Sequence, residues 1–89
     1  MNKVESIFTV NIKNNRGSVP VAWDITACVR EFSGSVYMEK MGRRISANSM
    51  IGILSLTFTN GDTIKVSCYG NDEFSAKLCL EKIGKVLCR

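Results

Sequence analysis

The sequence predicts an α+β fold, an open-faced sandwich in which a four-stranded antiparallel sheet carries its helices on one face. Two observations favour this class. Short runs of alternating apolar and polar residues are separated by stretches whose apolar residues recur at helical spacing, in the order β-α-β-β-α-β-α. The strands are short enough to form hairpins, and each helix needs a cover for its apolar face. With 89 residues, we expect a single domain over residues 1–89, with no room for a second core.

The first strand is predicted over residues 7–13, where the apolar residues Phe8, Val10 and Ile12 alternate with polar ones. A loop follows, and Ser18 is a candidate cap for the first helix. Pro20 fits the first turn of that helix, because the N–H that proline lacks is unpaired there in any case. The helix is predicted to run to about Phe32 and to end at Ser33-Gly34. Its apolar stripe comprises Ala22, Ile25, Val29 and Phe32.

The middle of the chain is predicted to hold a hairpin and a short helix. Residues 35–41 place Val36 and Met38 inward, and Gly42 turns the chain towards a hairpin partner at residues 43–46. Asn48 and Ser49 are capping residues, whose side chains accept hydrogen bonds from N–H groups that a first helical turn leaves unpaired. The apolar residues after them, Met50, Ile51, Ile53 and Leu54, predict one side packed on the core and another at the surface.

The last third is predicted to form a strand and the final helix. Asn60-Gly61 is a strong turn signal before a strand over residues 63–68. Asp72 and Glu73 place acidic groups in the first turn of the last helix, as the helix dipole favours. The inward set of this strand and helix comprises Ile64, Val66, Cys68, Ala76, Leu80, Ile83 and Leu87. Basic residues gather towards the end of the helix, at Lys82, Lys85 and Arg89.

Composition excludes several classes of protein. No apolar run approaches the roughly 20 residues of a membrane span, and the N-terminus lacks the apolar core of a signal peptide, so we expect a cytoplasmic protein without membrane contact. Four irregularly spaced cysteines without an export signal argue against a disulfide framework. We expect buried thiols at Cys28, Cys68 and Cys79 and an exposed one at Cys88. Without a C-x-x-C pair or a histidine, we expect no zinc site and no cofactor.

The absence of histidine also bears on catalysis. It removes the commonest general base, and no other acid–base or metal constellation can be assembled, so we expect no enzymatic activity. The net charge of +4 arises from scattered residues, of which only Arg43 and Arg44 are adjacent. Such a scattered excess is more typical of a solvated surface than of a nucleic-acid interface.

Three segments carry a family resemblance. They are Val10-x-Ile12-x-Asn14-x-x-Gly17, Ser49-Met50-Ile51-Gly52-Ile53-Leu54-Ser55-Leu56 and Gly70-x-Asp72-Glu73-x-x-Ala76. In this order and at nearly the right spacing, they resemble the approach to the active centre, the regulatory-serine signature S-I-M-G-x-M-S-L and the G-x-D-E-x-x-A opening of the last helix in the HPr family. These are phosphocarrier proteins of the bacterial sugar phosphotransferase system, with catabolite-regulating paralogues. The resemblance covers almost the whole chain and implies the HPr-like open-faced sandwich.

The active-centre segment departs from the family pattern, which places a phosphorylated His and an Arg after the glycine. Alignment on Gly17 puts Val19 and Val21 there. Alignment on Pro20 puts Gly17 and Val19 there, and alignment on the Ser49 motif puts Ser18 and Pro20 there. All three registers lack an imidazole and a guanidinium, and a serine phosphoester is too stable to pass phosphate on. We therefore expect no carrier activity from this degenerate segment, which comprises Arg16, Gly17, Ser18, Val19, Pro20 and Val21; Arg16 is either an anion contact or a solvated loop residue.

The serine half of the family pattern is present. The resemblance implies that Ser49 is phosphorylated by an HPr kinase/phosphorylase, and that the phosphorylated protein docks on a catabolite-control transcription factor. The docking surface would comprise Met50, Ile51 and Leu54. The resemblance therefore predicts a regulator of carbon catabolite control, a monomer or weak dimer. Phosphorylation of Ser49 would add about two negative charges beside an apolar patch.

Two alternatives stay open at this point. One is a degenerate HPr-like interaction or scaffold module without phosphorylation, which the basic balance slightly favours. The other is a nucleic-acid binder using Arg16, Arg43, Arg44 and the lysines; against it, the aromatic residues are few and do not interleave with the basic ones. Helical spacing also leaves open whether Trp23 is a core anchor or an exposed contact.

Overall fold

The computed structural model describes residues 2–13 and 17–88. In that part of the chain there are four strands and three helices, and the predicted order and α+β class are confirmed. The elements are β1 (Asn2–Thr9), α1 (Ser18–Arg30), β2 (Ser35–Lys40), β3 (Arg43–Ser46), α2 (Met50–Leu56), β4 (Thr63–Gly70) and α3 (Glu73–Leu87).

The strands form one antiparallel sheet in the order β1-β4-β2-β3. Because side chains alternate between the faces of a sheet, the register decides which of them share a face. Met38 pairs with Val66 and with Ile45, so these three lie on one face. They belong to a hydrophobic cluster that also contains buried residues of all three helices, so the helices cover this face and leave the other one open.

The predicted apolar stripes of the two long helices are confirmed. Ala22, Ile25 and Val29 of α1 are buried, and Phe32 is half-buried beyond the end of that helix. Four residues of α3 are buried as predicted: Ala76, Leu80, Ile83 and Leu87. Asp72 caps α3 with its carboxylate, which accepts a hydrogen bond from the N–H of Phe74 at 3.1 Å. Hydrogen bonds from the Ser75 hydroxyl and from the Phe74 N–H hold the pKa of Asp72 below its ordinary value.

The prediction for the first strand was wrong in its bounds. β1 begins at Asn2 and ends at Thr9, because all eight residues of β4 find a partner on it. Val10 and Ile12 are buried as predicted but lie beyond the strand. There the backbone is held by the turn instead: Ile12 N–H donates to the side-chain oxygen of Asn60 at 2.7 Å. Pairing with a distant strand, and not local alternation, set the limits of β1.

Smaller corrections concern helix and strand ends. α1 ends at Arg30, two residues before the predicted limit, and Phe32 N–H donates to the carbonyl of Val29 at 3.1 Å in the turn that follows. Gly34 passes close to β4, since a Cβ there would collide with the carbonyl oxygen of Tyr69. β2 ends at Lys40, one residue early, and the turn to β3 uses Met41 and Gly42, whose φ angles are 50° and 80°.

The four thiols are free. Cys68 and Cys79 are buried and Cys88 is exposed, as predicted, whereas Cys28 is only half-buried. The hydrogen bond with Cys79 and burial hold the pKa of Cys68 above its ordinary value, so this thiol stays protonated and fills the core as a small apolar group. In residues 2–13 and 17–88, no helix has the length and apolar character needed to cross a membrane.

Candidate functional site

The start of α2 presents a serine hydroxyl at the surface. Ser49 is the N-cap, with extended backbone, and its Oγ accepts a hydrogen bond from the N–H of Gly52 at 3.1 Å. The carbonyl of Ser49 accepts the first hydrogen bond of the helix, from Ile53 N–H at 3.0 Å. The predicted cap is confirmed, and the residue is exposed. Ser49 is therefore both a structural cap and a hydroxyl that a partner can reach.

The three residues predicted to form a docking surface differ in their exposure. The side of α2 formed by Ile53 and Leu56 is buried in the core. Met50 and Leu54 are half-buried and pack against the core, whereas Ile51 is 81% exposed. The apolar surface beside Ser49 is therefore carried mainly by Ile51, with the rims of Met50 and Leu54 adding to it.

The other end of α2 is tied to the sheet by Lys40 at the end of β2. Its ammonium group donates to the carbonyls of Leu56 and Thr57 at 3.0 and 2.8 Å, and it lies 2.8 Å from a carboxylate oxygen of Asp62. The ammonium is well placed there, because the last carbonyls of a helix have no partner within it. Hydrogen bonds from Lys40 and from the Thr59 N–H hold the pKa of Asp62 below its ordinary value. The short helix is thus fixed at both of its ends.

The start of α1 differs from the predicted loop. Residues 18–21 form the first turn of the helix, and the cap is Gly17, so the candidate cap Ser18 was wrong. Gly17 has φ 82° and ψ 176°, a backbone region that only glycine adopts readily, and it offers no side-chain acceptor to the helix. The Ser18 hydroxyl instead accepts a hydrogen bond from Phe58 N–H at 3.4 Å.

The remaining predicted residues of this segment divide between core and surface. Val19 and Pro20 are exposed, whereas Val21 is fully buried. Arg16 lies outside the described residues. Trp23, which the sequence left open, is an exposed residue, 60% accessible, and stands four residues after Val19 on the same side of α1. The segment therefore presents an aliphatic and aromatic surface.

The fold brings into contact the two helices that carry the predicted segments. α1 and α2 are in contact, and the Ser18–Phe58 hydrogen bond joins the first turn of α1 to the residues that follow α2. In residues 2–13 and 17–88 there is no group of three or more cysteine, aspartate or glutamate side chains that could hold a metal ion. What the described part of this region offers is the exposed Ser49 hydroxyl with apolar neighbours, which suits modification and docking.

A second candidate site, which the sequence reasoning missed, lies on the open face of the sheet. The rings of Tyr37 on β2 and Tyr69 on β4 meet edge to face, with centroids 5.7 Å apart and an interplanar angle of 83°. The guanidinium of Arg44 lies 4.3 Å from the Tyr37 ring centroid and donates to the Tyr69 hydroxyl oxygen at 3.3 Å. Lys3 on β1 lies 5.9 Å from the Tyr69 centroid. A cavity of about 590 Å³ opens beside this cluster.

This cluster corrects the expectation that basic and aromatic residues do not interleave. They are far apart along the chain, but the strand order brings β3, β2, β4 and β1 together across the open face. One signal was available in the sequence: Tyr37 and Tyr69 occupy the positions between the inward residues of their strands, where a polar residue is usual.

Comparison with known proteins identifies the family. The family model described as the PTS HPr component phosphorylation site matches residues 7–87. The HPr-like protein Crh of Halalkalibacterium halodurans is 33% identical over 73 residues, which cover 82% of this chain and 86% of the relative. The HPr-like protein Crh of Bacillus subtilis is 30% identical over 80 residues, which cover 90% of this chain and 89% of the relative.

Solved structures agree in fold. The phosphocarrier protein HPr of Bacillus anthracis superposes with a TM-score of 0.80 at 28% identity, over 98% of this chain and 99% of that one. The crystal structure of Bacillus subtilis Crh, described as a catabolite repression protein in a swapped dimer, gives a TM-score of 0.62 at 26% identity, over 98% and 91% of the two chains. On the match of the family model to nearly the whole chain and on these relatives, the chain belongs to the HPr family of the phosphotransferase system.

Proposed function

We propose that this HPr-family protein is a cytoplasmic regulator of carbon catabolite control that is switched by phosphorylation of Ser49 and carries no phosphate on histidine. The observation that carries the proposal is the exposed Ser49 hydroxyl at the cap of α2, directly before an isoleucine that is 81% exposed. The relative from Bacillus subtilis, a catabolite repression protein by name, supports the assignment to this regulatory branch.

The loss of the carrier reaction follows from side-chain chemistry. The chain contains no histidine, so no imidazole is available to form a labile phosphoryl adduct. In the first turn of α1, the Ser18 hydroxyl accepts the N–H of Phe58, and its neighbours Val19 and Pro20 are aliphatic. A phosphate on Ser18 would form a stable ester and would not be transferred to the next protein of the relay.

The switch at Ser49 adds charge next to an apolar surface. In the kinase reaction, the Ser49 oxygen bonds to the γ-phosphorus of ATP, the bond to ADP breaks, and the hydroxyl proton passes to a base of the kinase. The product carries about two negative charges at neutral pH beside Ile51. A partner that combines basic groups for the phosphate with an apolar pocket for Ile51 then binds the phosphorylated form selectively. In this proposal an HPr kinase/phosphorylase phosphorylates Ser49, and a catabolite-control transcription factor is the partner that binds the phosphorylated form.

The test is intact-mass spectrometry after incubation with ATP and an HPr kinase/phosphorylase, with phosphoenolpyruvate and the general phosphotransfer enzyme in a parallel tube. We expect one phosphate in the kinase tube and none in the other. Ser49→Ala should abolish the gain in mass. Ser55→Ala is the matched control, because Ser55 lies on the same helix with its hydroxyl donated to the carbonyl of Gly52 at 2.6 Å; it should keep the gain.

Each other outcome has a defined meaning. No mass change in either tube would favour the alternative of an interaction or scaffold module that is not phosphorylated. Phosphate arriving from phosphoenolpyruvate would refute the proposed loss of carrier activity. If phosphate incorporation survives Ser49→Ala and is lost in Ser55→Ala, the phosphorylated residue is Ser55 and not Ser49.

Docking is tested separately with the phosphorylated protein and the transcription factor. Ile51→Ala should weaken binding by roughly 5- to 30-fold, the effect of losing an apolar anchor worth about 1–2 kcal/mol. The matched control is Ile7→Ala, which removes an isoleucine that is 66% exposed on the open face of the sheet. An equal loss in the two variants would show that docking does not use α2.

A further inference from the structure

The open face of the sheet carries a row of aromatic and charged side chains that the regulatory function does not use. The register places Lys3 opposite Tyr69, Glu5 opposite Ser67, and Tyr37 next to Ser67 on the other side. Arg44 stands opposite Glu39 on the outer hairpin, two residues before the cavity-lining Ser46 on the same face. All these positions alternate with the inward apolar set, so their side chains lie on the face that no helix covers.

We propose that this open face binds single-stranded nucleic acid, with bases stacked on the cluster of Tyr37, Tyr69 and Arg44 and phosphates against the flanking cations. Aromatic rings and the planar guanidinium of arginine are the groups on which unpaired bases stack. A four-stranded antiparallel sheet with helices behind it and aromatic residues on its free face is an arrangement that reads single strands in this way.

The geometry supplies a place for a base. The cavity beside the cluster is lined by both tyrosines, by Arg44 and by the small residues Ser35 and Ser46, and its volume is about 590 Å³. That volume falls within the range of small-molecule pockets, about 300–1,000 Å³. Arg44 already stacks over Tyr37 at 4.3 Å, so a base that enters the cavity extends an existing stack.

The cations on this face, Lys3, Lys65 and Arg44, suit a polyanion, and two carboxylates, Glu5 and Glu39, compete for them. Glu5 lies 3.3 Å from the Lys3 ammonium and 3.7 Å from that of Lys65, and it accepts the Ser67 hydroxyl at 3.1 Å. These hydrogen bonds, from Lys3 first and then Ser67, hold the pKa of Glu5 below its ordinary value, so the group is a carboxylate at neutral pH. A phosphate must therefore take both lysines from Glu5, and the net charge of +4 on the chain favours the exchange.

The inference is independent of the switch at Ser49. α2 lies on the covered face of the sheet and the aromatic cluster on the open one, so each function can fail without the other. Ser49→Ala should leave nucleic-acid binding unchanged, and the variants below should leave incorporation of phosphate at Ser49 unchanged.

The experiment is fluorescence anisotropy of the full chain with labelled single-stranded RNA and DNA of about 12 nucleotides, a matched duplex and a mononucleotide. We expect both single strands to bind more tightly than the duplex or the mononucleotide, at low salt of about 50 mM. The RNA and DNA arms distinguish the sources of the ligand, since a preference for RNA would mean that the 2′-hydroxyl is read.

The matched variants are Arg44→Gln and Arg43→Gln, which remove the same charge from adjacent positions on opposite faces of β3. Arg44→Gln should weaken binding by about 5- to 10-fold. It should also reduce, by about 0.7, the steepness with which the logarithm of the binding constant falls against the logarithm of the salt concentration. Arg43→Gln should change binding by less than about twofold, because its side chain lies on the Ile45 side of the strand.

Two further variants separate stacking from charge. Tyr69→Leu should weaken binding by about 5- to 100-fold, whereas Tyr69→Phe, which keeps the ring, should bind within about threefold of the parent. Glu5→Gln should tighten binding, because it frees Lys3 and Lys65 for phosphate. Thermal unfolding of every variant establishes that it is folded at the assay temperature.

Several results would overturn the proposal. Equal losses for Arg43→Gln and Arg44→Gln would mean attraction by net charge alone. Duplex binding as tight as that of the single strand would exclude stacking, and equally tight binding of the mononucleotide would exclude a strand. No binding of any single strand at low salt would refute the site outright.

Discussion

The starts of α1 and α2, two helices in contact with each other, present different side chains. α2 begins at a serine whose side chain caps the helix and faces solvent. α1 begins at a glycine without a side-chain cap, and its only first-turn hydroxyl, on Ser18, is turned to the backbone of Phe58. The comparison teaches that two helices in contact can share one core and still differ at their first turns, because the surface chemistry of each start depends on a few side chains while the packing behind both is common.

The packing behind both starts is shared. Val21 in the first turn of α1 and Ile53 in α2 are fully buried in one hydrophobic cluster. What differs is the surface layer, where Val19 and Trp23 stand on α1 and Ser49 and Ile51 on α2. If surface and core roles are separate, substitutions in the two layers should differ in their effect on stability.

The largest effect on stability should come from the core side of α2. Ile53→Ala removes a fully buried side chain and should lower the free energy of unfolding by about 2–5 kcal/mol. Ile51→Ala, two residues earlier on the exposed side, should change it by less than about 0.5 kcal/mol. Urea denaturation of both variants measures the difference. Similar losses for the two would contradict the division of α2 into a packed and an exposed side.

The next effect concerns the cap of α1. Gly17→Ala should lower the free energy of unfolding by about 1–3 kcal/mol, since φ 82° and ψ 176° are accessible almost only to glycine. A Cβ at this position would meet nothing within 4 Å, so the cost arises from the backbone and not from a clash. Val19→Ala is the local control, and its free energy of unfolding should stay within about 0.5 kcal/mol of that of the parent. A neutral Gly17→Ala, measured by the same denaturation, would mean that the backbone there has relaxed.

The cap of α2 should give a smaller effect that sharpens the contrast. Ser49→Ala should lower the free energy of unfolding by about 0.5–2 kcal/mol, because the N–H of Gly52 loses its acceptor. Ser49→Asp keeps an acceptor at the cap, so its free energy of unfolding should differ from that of the parent by only about a few tenths of a kcal/mol. If Ser49→Asp were as destabilising as Ser49→Ala, capping would not explain the loss. That result would also disqualify the aspartate as a mimic of the phosphorylated state.

The smallest effect is a pH dependence at the far end of α2. Lys40, followed by the Thr59 N–H, lowers the pKa of Asp62 from its ordinary 3.8. The ion pair therefore stabilises the fold above that value, and the stabilisation is lost as the pH falls through the depressed pKa. Asp62→Asn should be slightly less stable than the parent at neutral pH, and the difference should vanish in acid. Denaturation midpoints at several pH values measure it; a difference that persists in acid would point to packing instead.

Local signals in the sequence were sufficient for much of the candidate site. The cap at Ser49, the turn at Gly61 and the buried stripe of α3 follow from residue types at fixed short spacing, and the structure has them where they were predicted. The half-burial of Met50 and Leu54 was beyond such signals, because it depends on how α2 is set against the sheet. The exposure of Trp23 was undecided for the same reason.

The sequence by itself determined the order of elements, the family resemblance, the absence of an imidazole and the position of the capping serine, Ser49. These properties reside in neighbouring residues, whose periodicity, capping and chemistry act over a few positions. Only the tertiary structure decided the extent of β1 and the cluster of Tyr37, Tyr69, Arg44 and Lys3. Both depend on pairing between strands that are distant in the chain, and strand order and register bring together side chains that no local pattern relates.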